Sequence, residues 1–138
     1  MKIEEHEKAY QEHVKNLNKA IEDGIEDNQR NISYNVSQGA IELFAIYLHK
    51  LNLLEGSGDQ FNHRIFKSKK LTERKIPLLF PARKDILELM KAIEDKRNMF
   101  CYGKRKSERE IMSFINNFQK LRAIINHHLK ELEDEKKR

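Results

Sequence analysis

QRNISYNVSQGAIELFAIYLHKLNLL, residues 29–54, places apolar side chains at Ile32, Val36, Ala40, Leu43, Phe44, Tyr47, Leu48, Leu51 and Leu54. Steps of three and four keep these side chains on one side of an α-helix, and the stripe is broader than a surface helix requires. A helix of this kind has neighbours on two sides, so residues 28–54 are expected to form the centre of a helical bundle. Upstream, Ile3, Tyr10, Val14, Leu17, Ile21 and Ile25 recur at intervals of three, four and seven on an otherwise charged surface. That spacing predicts an amphipathic helix within residues 1–27, stopping around Gly24. Downstream, EGSGDQ (residues 55–60) breaks the pattern with two glycines and reads as a loop.

Beyond the loop, Phe61, Ile65, Phe66, Leu71, Ile76, Leu78, Leu79 and Phe80 sit irregularly among bases. Residues 61–80 are therefore read as a basic connector with one or two short helices. Pro81 suits the first turn of a helix over residues 81–102, because its fixed φ is already helical and its missing N–H is not needed there. Ile86, Leu89, Met90 and Ile93 continue that helix as a buried face, and Gly103 is its natural stop. Ser107 and Glu110 have the spacing of a capping box. They open a last helix over 107–133, striped by Ile111, Phe114, Ile115, Phe118, Leu121, Ile125, Leu129 and Leu132, with a frayed tail at 134–138. The fold class is all-α: a single domain, an up-and-down bundle of four long helices plus one or two short ones.

The 138 residues suffice for one core burying about two-thirds of the surface that the unfolded chain exposes. Charged residues make up 36% and hydrophobic ones 38%, with five glycines, two prolines and no tryptophan, which suits a helical protein. No apolar run approaches the roughly 20 residues of a membrane span, and the acidic start MKIEEHEKAYQEH lacks a signal peptide's apolar stretch, so cytoplasmic residence and no membrane partner are expected. Cys101 is the sole cysteine, which excludes an intrachain disulfide and a cysteine-rich zinc site. Glycine-rich phosphate loops, zinc-protease histidine pairs and nucleophile elbows are absent. No metal and no cofactor is expected.

The net charge of +5 is unevenly placed. Residues 1–28 carry eight acids and four bases, whereas residues 61–84 carry eight bases against the single acid Glu73. Within EDKRNMFCYGKRK, residues 94–106, five bases run from Lys96 to Lys106 without an acid. Clustering of this kind raises local positive potential and draws polyanions such as RNA, although solvated lysine faces are the commoner outcome.

In that stretch Arg97-Asn98, three further residues and then Tyr102 stand between two long helices. This arrangement resembles the HEPN superfamily, whose motif is an arginine followed by a polar residue, often asparagine, and a histidine four to six residues on. The likeness covers roughly residues 28–130 by helix order. It implies a small HEPN-like bundle acting as a homodimer that brings two motifs together. Many members are metal-independent endoribonucleases, often toxins paired with a nucleotidyltransferase antitoxin, and others are RNA-binding or scaffolding domains without activity. Carried over, the catalytic positions are Arg97, Asn98 and Tyr102, with reaction to a 2′,3′-cyclic phosphate.

Tyr102 stands where the family has histidine, and Gly103 and Lys104 fill the longer spacings. Attack by a 2′-hydroxyl needs a group that exchanges protons near neutral pH, which an imidazole does and a phenol of ordinary pKa near 10 does poorly. A phenol can still donate a hydrogen bond to a phosphate oxygen or protonate a leaving group. Arg97 suits a phosphate through two parallel hydrogen bonds, with a surface ion pair to Glu94 as the bland alternative. Asn98 and Tyr102, four apart, share a helix face; otherwise Asn98 caps a helix end and Tyr102 packs on the last helix. Cys101 reads as a small buried apolar group.

Lys104, Arg105 and Lys106 could track an RNA backbone, and His63, after the glycine loop, is the best source of the missing imidazole, though loop-ordering is the commoner role. His127 and His128 form a pair at the polar edge of the last helix that needs no function, and His49 and Lys50 border the core. Tyr34, Phe44, Phe114 and Phe118 are expected as core or dimer-interface aromatics. Three functions stay open: a HEPN-type endoribonuclease, a HEPN-like RNA-binding module without turnover, and a dimerisation or partner-binding scaffold.

Overall fold

In the computed structural model, which describes residues 2–54 and 61–137, the central helix α2 (Gln29–Lys50) stops at Lys50 rather than at residue 54. Asn52 adopts a left-handed conformation (φ 60°), its N–H bonds the His49 carbonyl, and the Leu53 N–H reaches back to the Leu48 carbonyl at 2.8 Å. This is a Schellman closure with asparagine in place of the usual glycine. The loop expected at residues 55–60 lies outside the described residues.

Four other helices surround the sequence of α2: α1 (Ile3–Asp23), α3 (Lys69–Lys75), α4 (Arg83–Tyr102) and α5 (Glu108–Lys136). Two short 3-10 turns, Glu26–Asn28 and His63–Phe66, complete the described elements, and no strand occurs among the described residues. The architecture is an all-helical bundle. Among the described residues no helix is long and apolar enough to cross a membrane.

α1, α4 and α5 all pack on α2, which explains why α2 is buried nearly all round. Ile32, Val36, Ala40, Leu43, Phe44, Tyr47 and Leu48 are buried as the stripe predicts, and Ile41, Ala45 and Ile46 are buried on other faces. Full burial of one such side chain stabilises by about 1.5–3 kcal/mol. α1 and α4 run against α2, since His6 meets Glu42 and His13 meets Asn35 on one side, while Gln29 reaches Phe100 and Tyr47 reaches Pro81 on the other. The approach of α5 is close: a Cβ on Gly39 would stand 3.1 Å from Phe118 Cζ, so the glycine lets the Phe118 ring lie against the helix.

The irregular connector has a tertiary explanation. Phe61, Phe66 and Phe80 converge on the buried Phe44 ring, with centroids 5.6, 5.8 and 5.7 Å away. Their spacing answers to one target rather than to a helical repeat. Arg83 fastens the strandless end of the connector by donating to the Leu78 carbonyl (2.7 Å), the Ile76 carbonyl (2.9 Å) and Glu73 (2.9 Å). It is therefore a clamp within the basic segment rather than a free surface cation.

Two helix ends differ from the sequence reading. Pro81 lies before α4 rather than in its first turn, because Ala82 takes a left-handed conformation (φ 61°) as the N-cap and the Pro81 carbonyl accepts the Tyr47 hydroxyl at 3.0 Å. α5 continues to Lys136, past the expected end at 133. Other stops stand as read: Gly24 follows α1, Gly103 follows α4, and Ser107 and Glu110 form the capping box of α5. Phe44, Phe114 and Phe118 are in the core, whereas Tyr34 is on the surface with its ring edge-on to His13.

Candidate functional site

α4 ends at Gly103, where a Cβ would sit 2.4 Å from the Met99 carbonyl oxygen, so the turn out of the helix requires glycine for space. A helix end exposes carbonyls that need donors. Here they come from the start of α2. Gln29 Nε2 donates to the Phe100 carbonyl (3.0 Å) and the Lys104 carbonyl (3.2 Å), and its Oε1 accepts from the Lys106 N–H (2.6 Å). Arg30 donates to the Cys101 carbonyl (2.6 Å) and the Gly103 carbonyl (3.1 Å), where its charge also suits the negative end of the helix dipole. The α4–α5 junction is thus stapled to the bundle.

On this fixed end Arg97, Asn98 and Tyr102 stand together. Arg97 Nη1 lies 3.5 Å from Asn98 Oδ1, and the guanidinium carbon lies 5.8 Å from the Tyr102 ring centroid, within reach of a cation–π contact. Arg97 Nε is buried and has no hydrogen-bond partner among the described residues. A buried N–H left without an acceptor costs free energy, so the guanidinium gains if it turns to meet one. Asn98 is exposed, and Tyr102 is 69% exposed rather than packed on α5.

The ion pair between Arg97 and Glu94 weighed from the sequence does not form. Glu94, whose side chain is only 8% exposed, instead takes His63, with Nδ1 3.0 and 3.1 Å from its two oxygens. Among the described residues Arg97 has no acid partner. Glu94 lies one helical turn before Arg97 and Asn98, so it draws His63 onto the same stretch of α4. A carboxylate bonded to one ring nitrogen fixes the imidazole's orientation.

The basic run divides. Lys104 is exposed, Arg105 donates to the Glu26 carbonyl at 2.6 Å, and Lys106 is half-buried with its N–H on Gln29. Cys101 is buried, and desolvation pushes its thiol up against the opposing pull of Arg97 and Arg30, in keeping with a packing role. Gln29 and Arg30 were not singled out in the sequence, and Glu94 was named there only as an ion-pair partner for Arg97. The only local hint was a glutamine and an arginine opening a helix whose following turns are apolar.

Compared with protein-family models, curated proteins and solved structures, the chain matches none.

Proposed function

We propose that this chain is a HEPN-like RNA-associated protein in which Arg97, Asn98 and Tyr102 hold a backbone phosphate. The observation that carries the reading is Arg97: a cation with no acid partner among the described residues and a buried, unpartnered Nε, set beside an amide and an exposed phenol. A phosphate offers that group two acceptor oxygens at once, while Asn98 and Tyr102 supply further neutral donors. Lys104 extends the positive surface along the backbone. Homodimerisation, a nucleotidyltransferase partner and cytoplasmic residence belong to the same proposal through the family resemblance.

Fluorescence anisotropy with an unstructured single-stranded RNA at low salt tests it. Arg97→Ala should weaken binding by about tenfold, the scale of one charge-assisted phosphate contact. Equal affinity in the variant, or no RNA binding by the parent chain, overturns the proposal.

A metal-independent endoribonuclease is the second reading, favoured by the His63–Glu94 pair next to the cluster. In it Nε2 of His63, the ring nitrogen not bonded to Glu94, takes the 2′-hydroxyl proton, Tyr102 protonates the departing 5′-oxygen, and a 2′,3′-cyclic phosphate remains. Cleavage in the presence of a chelator that is lost in both His63→Ala and Tyr102→Phe supports this route. Binding without cleavage assigns the chain to the non-catalytic class.

A further inference from the structure

Near the far end of α5 the sequence reads HHLKE, and its two histidines and glutamate are brought together by a single helical turn. His127 Nε2 lies 3.1 Å from Glu131 Oε1, and His128 Nδ1 lies 3.4 Å from Glu131 Oε2. The three donor atoms all fall within 4.8 Å of one another. We propose that His127, His128 and Glu131 bind a divalent transition-metal ion of the zinc class.

The donor chemistry selects the ion. Two imidazoles and one carboxylate suit zinc, nickel or copper, whereas calcium and magnesium demand more oxygen ligands. The distances fit as well: a tetrahedral zinc with bonds of about 2.0–2.1 Å separates its ligand atoms by about 3.3 Å. The His127 Nε2–Glu131 Oε1 separation of 3.1 Å stands close to that edge length, while His128 Nδ1 meets the other oxygen, Oε2, at 3.4 Å. One ligand atom from each residue lies within 4.8 Å of the other two, so small side-chain rotations gather them on one ion. Three protein ligands leave a fourth position open, and it faces solvent because His127 and Glu131 are exposed.

Packing preorganises part of the site. The His128 ring lies 6.5 Å from the Tyr47 ring, which is itself fixed by the bond from its hydroxyl to the Pro81 carbonyl. The inward ligand therefore rests on the core while His127, its ring 5.1 Å away, completes the pair from the surface. Glu131 has a second effect: its charge adds to burial in pushing the Tyr47 phenol up to about 12. The site is also remote from Arg97. Helix α5 starts at the α4–α5 junction, and the 19 residues from Glu108 to His127, at about 1.5 Å each, carry the site about 28 Å along α5 from that junction. A metal there acts on the end of the bundle near Tyr47 and takes no part in phosphate binding.

The alternative is a carboxylate merely hydrogen-bonded to two surface imidazoles, which contributes little. Titration of the metal-free full chain with zinc chloride, followed calorimetrically, separates the two. Saturable binding of one zinc ion per chain is expected. Since changes outside the ligand shell already cost about 10–100-fold in affinity, His127→Ala and Glu131→Gln should each lose at least about tenfold. His13→Ala, on α1, should bind as the parent does. Cobalt substituted for zinc should give visible absorption bands of a low-coordinate centre that vanish in His127→Ala. Both substituted side chains are exposed, and circular dichroism verifies that each variant is folded. Absence of saturable binding overturns the proposal, and so does unchanged affinity in His127→Ala and Glu131→Gln.

Discussion

Replacing Gln29 by methionine should destabilise the protein by about 3 kcal/mol while nearly preserving side-chain length and volume. The substitution removes the bonds to the Phe100 carbonyl at 3.0 Å, to the Lys104 carbonyl at 3.2 Å and from the Lys106 N–H at 2.6 Å. Gln29 is 3% exposed, so water does not readily replace it at the buried Phe100 carbonyl. With each bond contributing about 1 kcal/mol net, the sum is about 3 kcal/mol. For 138 residues an unfolding entropy of about 2.1 cal/mol/K per residue gives about 0.29 kcal/mol/K, and the melting temperature should fall by about 10 °C. Thermal and urea unfolding followed by far-UV circular dichroism measure both quantities. A fall below about 3 °C with an unchanged urea slope would show that solvent satisfies the junction and that Gln29 is no staple. Under the proposed RNA-binding role, affinity of the folded variant for RNA should also drop, because the same bonds fix the end of α4 that carries Arg97 and Tyr102.

Phe118→Ala, a fully buried ring against Gly39, should cost about 3–5 kcal/mol in urea unfolding; a cost under about 1 kcal/mol would contradict its place in the core. Ser107→Ala removes the side-chain acceptor for the Glu110 N–H at 3.2 Å and should cost about 1 kcal/mol by the same measurement. Burial, with a further push from Glu131, raises the Tyr47 phenol to about 12, so the fold favours its neutral form. That contribution is fully present below a pH of about 10 and is lost as pH rises through about 12, so Tyr47→Phe should show a flatter stability profile in that window. Cys101, buried and with its thiol pushed up, should react with a disulfide reagent at pH 8 far more slowly in the native chain than in denaturant; equal rates would place it at the surface.

The elements that were legible share one property: their signals are local. The stripes of α1, α2, α4 and α5 repeat within four residues, and Gly24, Gly103 and the Ser107–Glu110 box each mark a helix end through bonds of similar reach. Where the reading slipped, a distant residue or an unusual backbone conformation intervened. α2 ends early because Asn52 and Leu53 close it, and α4 begins late because Ala82 is left-handed and Pro81 is held by Tyr47 from α2. The connector defied periodicity because Phe61, Phe66 and Phe80 answer to Phe44.

For the candidate site the division is sharper. Sequence alone placed Arg97, Asn98 and Tyr102 on adjacent faces near a helix stop, since i, i+1 and i+4 or i+5 positions are fixed by helical geometry. It could not say which acid each cation would meet. Glu94 sits three residues from Arg97 yet binds His63, thirty-one residues away, and the end of α4 is satisfied by Gln29, seventy-one residues back. Periodicity assigns a side chain to a face, but partners depend on how α2 and the connector pack against α4. That packing was decided by burial of apolar surface, and it left Arg97 without an acid among the described residues, beside an exposed phenol.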